Sequence, residues 1–183
     1  MAKVMVFNSV SLDGYFTDAN GDMSWAKKDD PEWKEFAAGN ASGEGTLLFG
    51  RVTYEMMASF WPTPQAKKSY PAVAKGMDKH AKVVFSRTLD KASWNNTRLV
   101  KGDLAAEVRK MKKAGNDMVI LGSGTIVAQL TQEGLIDGYE IVVTPVVLGK
   151  GRTMFEGVKT KPTLKLTKSR AFKNGNVVLS YEA

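Results

Sequence analysis

The amino-acid sequence predicts a single α/β domain over residues 1–183, in which a mostly parallel mixed sheet lies between two helical layers, a three-layer αβα sandwich. Two observations lead to this prediction. Short apolar runs alternate with amphipathic helical segments up to Gly134, as expected for parallel strands joined by helices. Beyond that glycine, three strand-like runs follow without a helix between them, so an antiparallel C-terminal edge is expected.

The first half of the chain contributes three strands and two helices to this prediction. The strands are the short apolar runs at residues 3–8, Thr46–Phe49 and Lys82–Ser86. A short helix is expected over residues 31–38, since Pro31 suits a first helical turn. A second helix is expected over residues 52–60, because its apolar residues recur at helical spacing. The proline-containing segment Trp61–Gln65 is expected to be a loop.

The second half has a clearer pattern. A helix is expected between Asp103, a suitable N-cap, and Gly115, a suitable helix end. Met118–Leu121 predicts a buried strand, and the turn Gly122–Thr125 leads into a helix that ends at Gly134. The C-terminal strands are expected over Glu140–Leu148, Thr163–Arg170 and Val177–Tyr181, with a hairpin turn at Asn174-Gly175.

Composition excludes several classes of chemistry. The chain has no Cys and a single His, His80, so thiol nucleophiles, iron–sulfur clusters and multi-histidine metal sites are ruled out. We therefore expect no metal site, and catalysis would rest on carboxylate, lysine or tyrosine groups or on a bound organic cofactor. His80 precedes a predicted strand and is interpreted as a surface residue.

Charge and hydropathy limit the partners. A formal net charge of +7 favours an anionic partner. The basic residues are spread along the chain, and the densest cluster, Arg109–Lys113, ends a predicted helix where cations suit the helix dipole. We therefore expect a small-molecule substrate and no nucleic acid. No apolar run approaches the length of a membrane-spanning helix, so no membrane partner is expected and a cytoplasmic location is the default expectation.

Three predicted strand ends carry glycines and polar side chains suited to an anionic ligand. They are Gly50, Arg51 and Thr53; Ser86, Arg87 and Thr88; and Gly122, Ser123, Gly124 and Thr125. Glycine lets the backbone approach a ligand, helix starts offer amide groups, and a guanidinium binds phosphate through paired hydrogen bonds. Open α/β sheets bind ligands at the carboxyl ends of their strands. The alternative for each segment is an ordinary solvated turn.

Asp13 follows the first strand and is the carboxylate best placed to face the same edge of the sheet. We interpret it as the candidate catalytic group, with an Asx-type turn as the alternative. Nearby loops contain the aromatic residues Tyr15, Phe16, Trp25 and Trp61. These rings either line a pocket for a flat ligand or pack the loops against the domain.

Five segments occur in the order seen in the reductase domain of bacterial riboflavin biosynthesis. They are Ser11–Gly14, Leu48–Glu55, Ser86–Thr88, Ile120–Thr125 and Thr144–Gly151. The chain resembles that domain over nearly its whole length, and that domain shares the dihydrofolate reductase fold. No single segment is decisive, but five in order make the resemblance fairly specific.

The resemblance implies an NADPH-dependent reductase that transfers hydride to a heterocycle-linked substrate, similar to 5-amino-6-(5-phosphoribosylamino)uracil reductase. By this resemblance Gly50, Arg51 and Thr53 would contact the phosphate region of the cofactor. Ser86–Thr88 would hold the ribose 2′-phosphate and flank the adenine, and Gly122–Thr125 would wrap the pyrophosphate. Asp13 or an ordered water would handle the proton.

Two other functions stay open at this point: a pterin- or dihydrofolate-type reductase of the same fold, and a non-catalytic nucleotide-binding module. The acidic residue of the first helix in dihydrofolate reductases has no clear counterpart; the candidates are Asp29, Asp30, Glu32 and Glu35. We expect no zinc deaminase half of the kind found in the bifunctional riboflavin enzymes, since the 183 residues contain no cysteine to serve as its ligands.

A homodimer is also expected. The predicted strand over residues 140–148 contains four valines close together and is too apolar for an exposed sheet edge. A second copy that pairs with this strand or covers it would remove the exposed edge, and relatives of this fold suggest the same.

Overall fold

A computed structural model gives the fold of the protein and describes residues 2–26 and 30–183. The strands are β1 (Val4–Ser11), β2 (Thr17–Asp18), β3 (Thr46–Gly50), β4 (Ala81–Phe85), β5 (Thr97–Val100), β6 (Met118–Leu121), β7 (Gly138–Thr144), β8 (Gly151–Arg152), β9 (Lys165–Ala171) and β10 (Val177–Glu182). The helices are α1 (Pro31–Ala41), α2 (Arg51–Phe60), α3 (Pro64–Ser69), α4 (Pro71–Lys79), α5 (Leu104–Lys113) and α6 (Gly124–Gln132), with a short 3-10 helix at Ser24–Ala26.

Eight strands form one sheet in the order β5-β4-β3-β6-β1-β7-β10-β9. Neighbouring strands from β5 to β7 are parallel, whereas β10 runs antiparallel to both β7 and β9. The β9–β10 turn contains Gly175 at φ +88°, which suits the hairpin predicted at Asn174-Gly175. The predicted mostly parallel sheet with an antiparallel C-terminal edge is confirmed. Strands β2 and β8 form a separate two-stranded ribbon.

Helices cover both faces of the sheet, as predicted. Leu48 of β3 points into a core that contains Val108 and Met111 of α5 and Ile126, Val127 and Leu130 of α6. Its neighbours Leu47 and Phe49 point the opposite way, because side chains alternate along a strand. They pack with Tyr54 of α2, Met77 of α4 and Trp94. Farther along that second face, Trp33 and Phe36 of α1 pack against Phe172, Val142 and Val178.

The expectation of a loop over Trp61–Gln65 is wrong at its end, since α3 begins there. The Thr63 hydroxyl accepts a hydrogen bond from the N–H of Ala66, and Pro64 occupies the first helical turn. The sequence analysis predicted neither α3 nor α4. α3 has only six residues, too few for an apolar period to stand out, and α4 follows it directly from Pro71. Within residues 2–26 and 30–183, every helix is too short or too polar to traverse a bilayer.

The strand predicted over residues 140–148 is present as β7 but ends earlier, and it is not an edge of the sheet. Strand β7 ends at Thr144, because Pro145 has no N–H to continue the ladder. On either side β7 pairs with β1 and β10, so it lies inside the sheet. The edges are β5 and β9. The argument that led from an exposed β7 edge to a homodimer therefore no longer holds.

His80 is not the free surface residue that the sequence suggested. It is half-buried at the end of α4, where its two ring nitrogens lie 3.1 Å from the carbonyl oxygen of Gly45 and 3.0 Å from that of Ala41. Ala41 is the last residue of α1, and Gly45 immediately precedes β3, so the two carbonyls lie at the two ends of the connection between these elements. The imidazole therefore ties this connection to α4, a contact between segments distant in sequence that local pattern could not reveal.

Lys82 lies on β4 and is only 1% exposed. Its ammonium group donates to the carbonyl oxygens of His80 at 2.8 Å and Asn95 at 3.1 Å, and it lies 4.5 Å from the ring centroid of Trp94. These partners stabilise the buried cation, because carbonyl oxygens and an aromatic face both attract positive charge. Burial nevertheless lowers the pKa of Lys82 from 10.5 to about 8.

The lowered pKa of Lys82 predicts a rise in stability at alkaline pH. Between about pH 8 and 10.5 the unfolded chain binds more protons at this lysine than the folded chain does. The free energy of unfolding should therefore rise across that window by up to about 3 kcal/mol relative to the variant Lys82→Met. Urea unfolding at a series of pH values measures this difference. The exposed-lysine control Lys68→Met should show the same rise as the native protein, and a pH-independent gap between native protein and Lys82→Met would contradict the prediction.

Candidate functional site

The three predicted ligand-binding turns lie side by side. They follow β4, β3 and β6, which are consecutive and parallel in the sheet. Because parallel neighbours end at the same edge, the turns after Phe85, Gly50 and Leu121 converge there. Arg87 and Gly124, from the two outer turns, line one common cleft. The convergence expected from the sequence is thus a feature of the fold.

The cleft at this edge has a volume of about 560 Å³, within the range of small-molecule and cofactor sites. Its walls include eight of the ten predicted cofactor-binding residues: Gly50, Arg51, Thr53, Ser86, Arg87, Ser123, Gly124 and Thr125. Gly122 lies behind the wall, against Thr53. Thr88 also lies outside the wall, and its N–H donates to the Ser86 hydroxyl at 3.2 Å.

The turn between β6 and α6 has an uncommon backbone conformation. Gly122 and Ser123 both have positive φ, +57° and +55°, and only the first is a glycine. The buried carboxamide of Asn8 holds this turn, since it donates to the carbonyl oxygen of Gly122 at 2.9 Å and accepts from the N–H of Gly122. The Asn8 side chain thus makes the two backbone hydrogen bonds that a neighbouring strand would make, at the point where β6 turns away from the sheet.

Two hydroxyl groups join this turn to β3 and α2. The Thr53 hydroxyl accepts from the N–H of Ser123 at 2.9 Å. The Ser123 hydroxyl accepts from the N–H of Gly50 at 2.9 Å and donates to the carbonyl oxygen of Leu121 at 2.9 Å. These hydrogen bonds support Ser123 in the left-handed region, which is unfavourable for a residue with a side chain.

Two glycines in this turn leave no room for a Cβ unless a neighbouring side chain shifts. A Cβ on Gly122 would lie 2.8 Å from Cγ2 of Thr53, and one on Gly124 would lie 2.7 Å from the ring of Phe16. Helix α6 begins at Gly124, and α2 begins at Arg51; neither start has a side-chain cap. First-turn amide groups have no partner inside their helix, so both starts can bind an anion at the cleft.

The charges in the cleft walls are mainly positive. Among the residues that the structure describes, Arg51, Arg87 and Arg152 line it, against one carboxylate, Asp103. The Asp103 carboxylate caps α5 by accepting from the N–H of Ala106 at 2.7 Å. Arg51 pairs with Glu55 at 3.0 Å, whereas Arg87 and Arg152 form no ion pair within residues 2–26 and 30–183. Two exposed guanidinium groups are thus available to an anion.

Arg152 was missed in the sequence. It lies on β8, pairs with Thr17 of β2, and its carbonyl oxygen accepts from the N–H of Phe16 at 2.9 Å. The only sequence feature that could have identified Arg152 as a cleft residue was its position directly after Thr144–Gly151, a segment that carried part of the family resemblance. Strands of two residues have no period, so neither β2 nor β8 was predicted.

Of the four loop aromatic residues, only Phe16 lines the cleft. It is 6% exposed and packs against Gly124, so it both lines the cleft and packs its loop against the domain. Tyr15 covers Gly151 instead. Trp61 packs edge-on against Phe60 and Tyr70, away from the cleft. Trp25 is tied to its own loop, where its indole N–H donates to the carbonyl oxygen of Asp22 at 3.0 Å.

Asp13 lies outside the cleft wall and is exposed. Its carboxylate accepts from the Ser11 hydroxyl at 2.6 Å and from the N–H groups of Leu148 at 3.1 Å and Gly149 at 2.7 Å. The hydrogen bond from Ser11, helped by those two N–H groups, lowers the pKa of Asp13. Asp13 is therefore an ionised carboxylate that connects two turns, and its catalytic role stays a prediction.

The acidic candidates near the first helix have structural partners. Asp29 lies outside the described residues. The Asp30 carboxylate caps α1 by accepting from the N–H of Trp33 at 3.0 Å, and Glu32 pairs with Arg170 at 3.1 Å. Glu35 is exposed on α1. The three described candidates all lie outside the cleft wall.

The sheet order, the antiparallel C-terminal hairpin and the cleft at the carboxyl ends of the parallel strands define a dihydrofolate reductase-like α/β domain. The sequence model of the RibD C-terminal domain matches residues 2–178, and the chain belongs to this family. It is a family of reductases that typically depend on NAD(P)H. The resemblance seen in the sequence is thereby confirmed.

Two curated relatives come from Bacillus subtilis (strain 168). "Uncharacterized protein YyaP" is 28% identical over 181 residues, which cover 98% of this chain and 94% of the relative. "Uncharacterized protein YwjB" is 25% identical over 173 residues, which cover 93% of this chain and 92% of the relative. Their names identify no substrate, so they support the family and nothing finer.

Three solved structures share the fold. A protein of Shewanella sp. PV-4, described as a riboflavin biosynthesis protein, aligns over 100% of this chain and 98% of its own, with a TM-score of 0.77 and 23% identity. The deaminase/5-amino-6-(5-phosphoribosylamino)uracil reductase of Thermotoga maritima aligns over 99% of this chain and 56% of its own, with a TM-score of 0.69 and 14% identity. A pyrimidine reductase-like protein of Corynebacterium diphtheriae aligns over 99% and 91%, with a TM-score of 0.63 and 10% identity.

The hydrogen bonds of Asn8 predict a large effect on stability. In Asn8→Ala the buried N–H and C=O groups of Gly122 both lose their partner, so the free energy of unfolding should fall by about 2–4 kcal/mol. Urea unfolding measures this change. Asn40→Ala is the control, because the Asn40 carboxamide donates at the surface to Glu140 and its loss should cost less than about 0.5 kcal/mol. Equal losses in the two variants would contradict a supporting role for Asn8.

Proposed function

We propose that this protein is an NADPH-dependent reductase that transfers hydride to a heterocycle-linked small molecule, similar to 5-amino-6-(5-phosphoribosylamino)uracil reductase. The observation that carries the proposal is the convergence of three turns in one cleft, among them the turn of Arg87, which forms no ion pair within the described residues. Membership of a reductase family supports the reaction type. The heterocyclic substrate class rests on that membership alone.

The cleft fits the phosphate groups of a dinucleotide. The start of α6 suits a pyrophosphate, because Gly124 has no Cβ there and Phe16 packs against it. Thr125 and Arg51 also line the cleft. Ser86 and Arg87 in the wall suit the 2′-phosphate, because a guanidinium beside a hydroxyl group offers several hydrogen-bond donors. Thr88 lies outside the wall and holds Ser86 through its N–H. The Thr53 hydroxyl accepts from Ser123 and still has its own hydrogen to donate.

The chain's contribution to catalysis is to bind, orient and exclude water. When bound, NADPH would supply the hydride. Phe16, Met23, Val52 and Met56 form apolar parts of the cleft wall, and such surfaces exclude water from two reacting groups. The rigid turn at Gly122 and Ser123 limits the movement of a ligand held at α6, which favours a short distance between reacting atoms.

A single arginine tests the cofactor assignment. Arg87→Ala should weaken NADPH binding by about 10–150-fold, the cost of losing one or more charged hydrogen bonds. NADH lacks the 2′-phosphate, so its affinity should change little. Titration calorimetry or the fluorescence of the reduced nicotinamide measures both dissociation constants.

The control is Arg109→Ala, which removes the same charge from a surface pair with Glu133 outside the cleft. It should leave both dissociation constants unchanged. Equal affinity of the native protein for NADPH and NADH would count against a 2′-phosphate site. Cofactor binding without oxidation by riboflavin-precursor heterocycles or dihydropterins would favour a non-catalytic module.

The variant Asp13→Asn tests the predicted catalytic carboxylate. NADPH affinity should be unchanged, because Asp13 lies outside the cleft wall. If the carboxylate handles the proton, kcat falls by about 100-fold or more at an unchanged melting temperature. A lowered melting temperature with kcat unchanged would leave Asp13 only its role between the two turns, where it accepts from Leu148 and Gly149.

A further inference from the structure

Two exposed apolar side chains of α2 form part of the cleft wall. Val52 is 61% exposed and Met56 is 39% exposed, and both line the cleft. They are four residues apart, so they lie next to each other on one side of the helix. Single exposed aliphatic residues are common on protein surfaces, but adjacent ones inside a concave wall are typical of a ligand contact. We call these two residues the α2 strip.

The α2 strip faces the β6 side of the cleft. Thr53, on the same side of α2, accepts a hydrogen bond from the N–H of Ser123 at 2.9 Å, in the turn after β6. Tyr54 points the other way, since its hydroxyl accepts from the N–H of Trp94 in the connection between β4 and β5. Successive helical residues are rotated by about 100°, which places the α2 strip nearly opposite Tyr54. The strip therefore lies away from the turn after β4.

Two further apolar residues, from the segment between β1 and α1, line the same cleft. They are Phe16 and Met23, and Phe16 packs against Gly124 at the start of α6. Met23 and Met56 have flexible thioether side chains, which adapt to ligands of different shape. The β6 end of the cleft therefore presents apolar surface that can fit more than one apolar group.

The cations near this end of the cleft have other partners or positions. Arg51 pairs with Glu55 at 3.0 Å. Arg152 is followed by Thr153, whose carbonyl oxygen lies 3.4 Å from the position that a Cβ of Gly124 would take. The backbone at Arg152 thus lies beside the start of α6, where a pyrophosphate is expected. These cations suit the phosphate groups of the cofactor, and the α2 strip is left for the substrate.

We propose that the substrate carries an uncharged, apolar substituent on its heterocycle, and that Val52 and Met56 bind this substituent. The assignment rests on the proposed function, because it takes the three turns of the cleft to hold NADPH. An apolar substituent removes the exposed hydrocarbon of the α2 strip from water, which favours binding. A phosphoribosyl group would instead place hydroxyl and phosphate groups against side chains that offer them no hydrogen bond.

Two uracils with the same ring and different chains test the proposal. 6-(Pentylamino)uracil and 6-(ribitylamino)uracil both have five-carbon chains, and only the second carries hydroxyl groups on its chain. Titration calorimetry with the full chain saturated with NADP⁺ should give a dissociation constant at least about 10-fold lower for the pentyl compound, because the apolar wall leaves hydroxyl groups without partners. Equal affinity, tighter binding of the ribityl compound, or binding of neither compound would overturn the proposal.

The double variant Val52→Thr/Met56→Gln tests the α2 strip directly. Both changes nearly keep the side-chain volume at exposed positions, so the fold should be kept. The preference for the pentyl compound should fall by about fivefold or more, because the wall now offers hydrogen bonds. The matched control is Val147→Thr/Leu166→Gln, since both residues are more than half exposed and lie outside the cleft wall. The control should keep the full preference.

Binding of NADP⁺ distinguishes a failure of this inference from a failure of the proposed function. The double variant in the α2 strip should bind NADP⁺ as tightly as the native protein does. A double variant that keeps the preference, or that loses affinity for NADP⁺ in place of the preference, would overturn the inference alone. A native protein that binds no NADP⁺ would contradict the proposed function, and the inference would fall with it.

Discussion

The cleft depends on the contact between the Asn8 carboxamide and the peptide groups of Gly122. Strand β6 ends at Leu121, and the chain must leave the sheet there to start α6 at the cleft. A buried peptide group without a partner at this point would be costly. The carboxamide supplies both a donor and an acceptor, and so reproduces the hydrogen bonds that a neighbouring strand would have made.

This contact explains why the polar residue Asn8 is buried in β1. Asn8 is 3% exposed among apolar neighbours, a position where an unpaired carboxamide would be unfavourable. Thr53 and Ser123 extend the same network to α2 and β3, so three elements meet in fixed geometry. A rigid backbone at this edge favours the binding of a long, charged ligand, because the protein loses less conformational entropy on binding.

The sequence predicted the parts of the site that depend on local chemistry, and it missed those that depend on distant contacts. Turns rich in glycine and hydroxyl groups after apolar runs identified the walls at Gly50, Ser86 and Gly124, because parallel strands end together. Asn8 looked like any polar residue in a strand. The local sequence around His80 and Lys82 does not indicate that either side chain is buried. The carbonyl oxygens that contact them come close only in the folded chain. Such contacts leave no period in a sequence.

The ribbon of β2 and β8 is held by only two paired positions, Thr17 with Arg152 and Asp18 with Gly151. So small a unit opens at a lower free-energy cost than the eight-stranded sheet. An anion bridging Arg152 and the start of α6 would fasten this ribbon to the body of the domain. Amide hydrogen exchange in the ribbon would then slow in proportion to ligand occupancy, which makes this peripheral pair of strands a reporter of the state of the cleft.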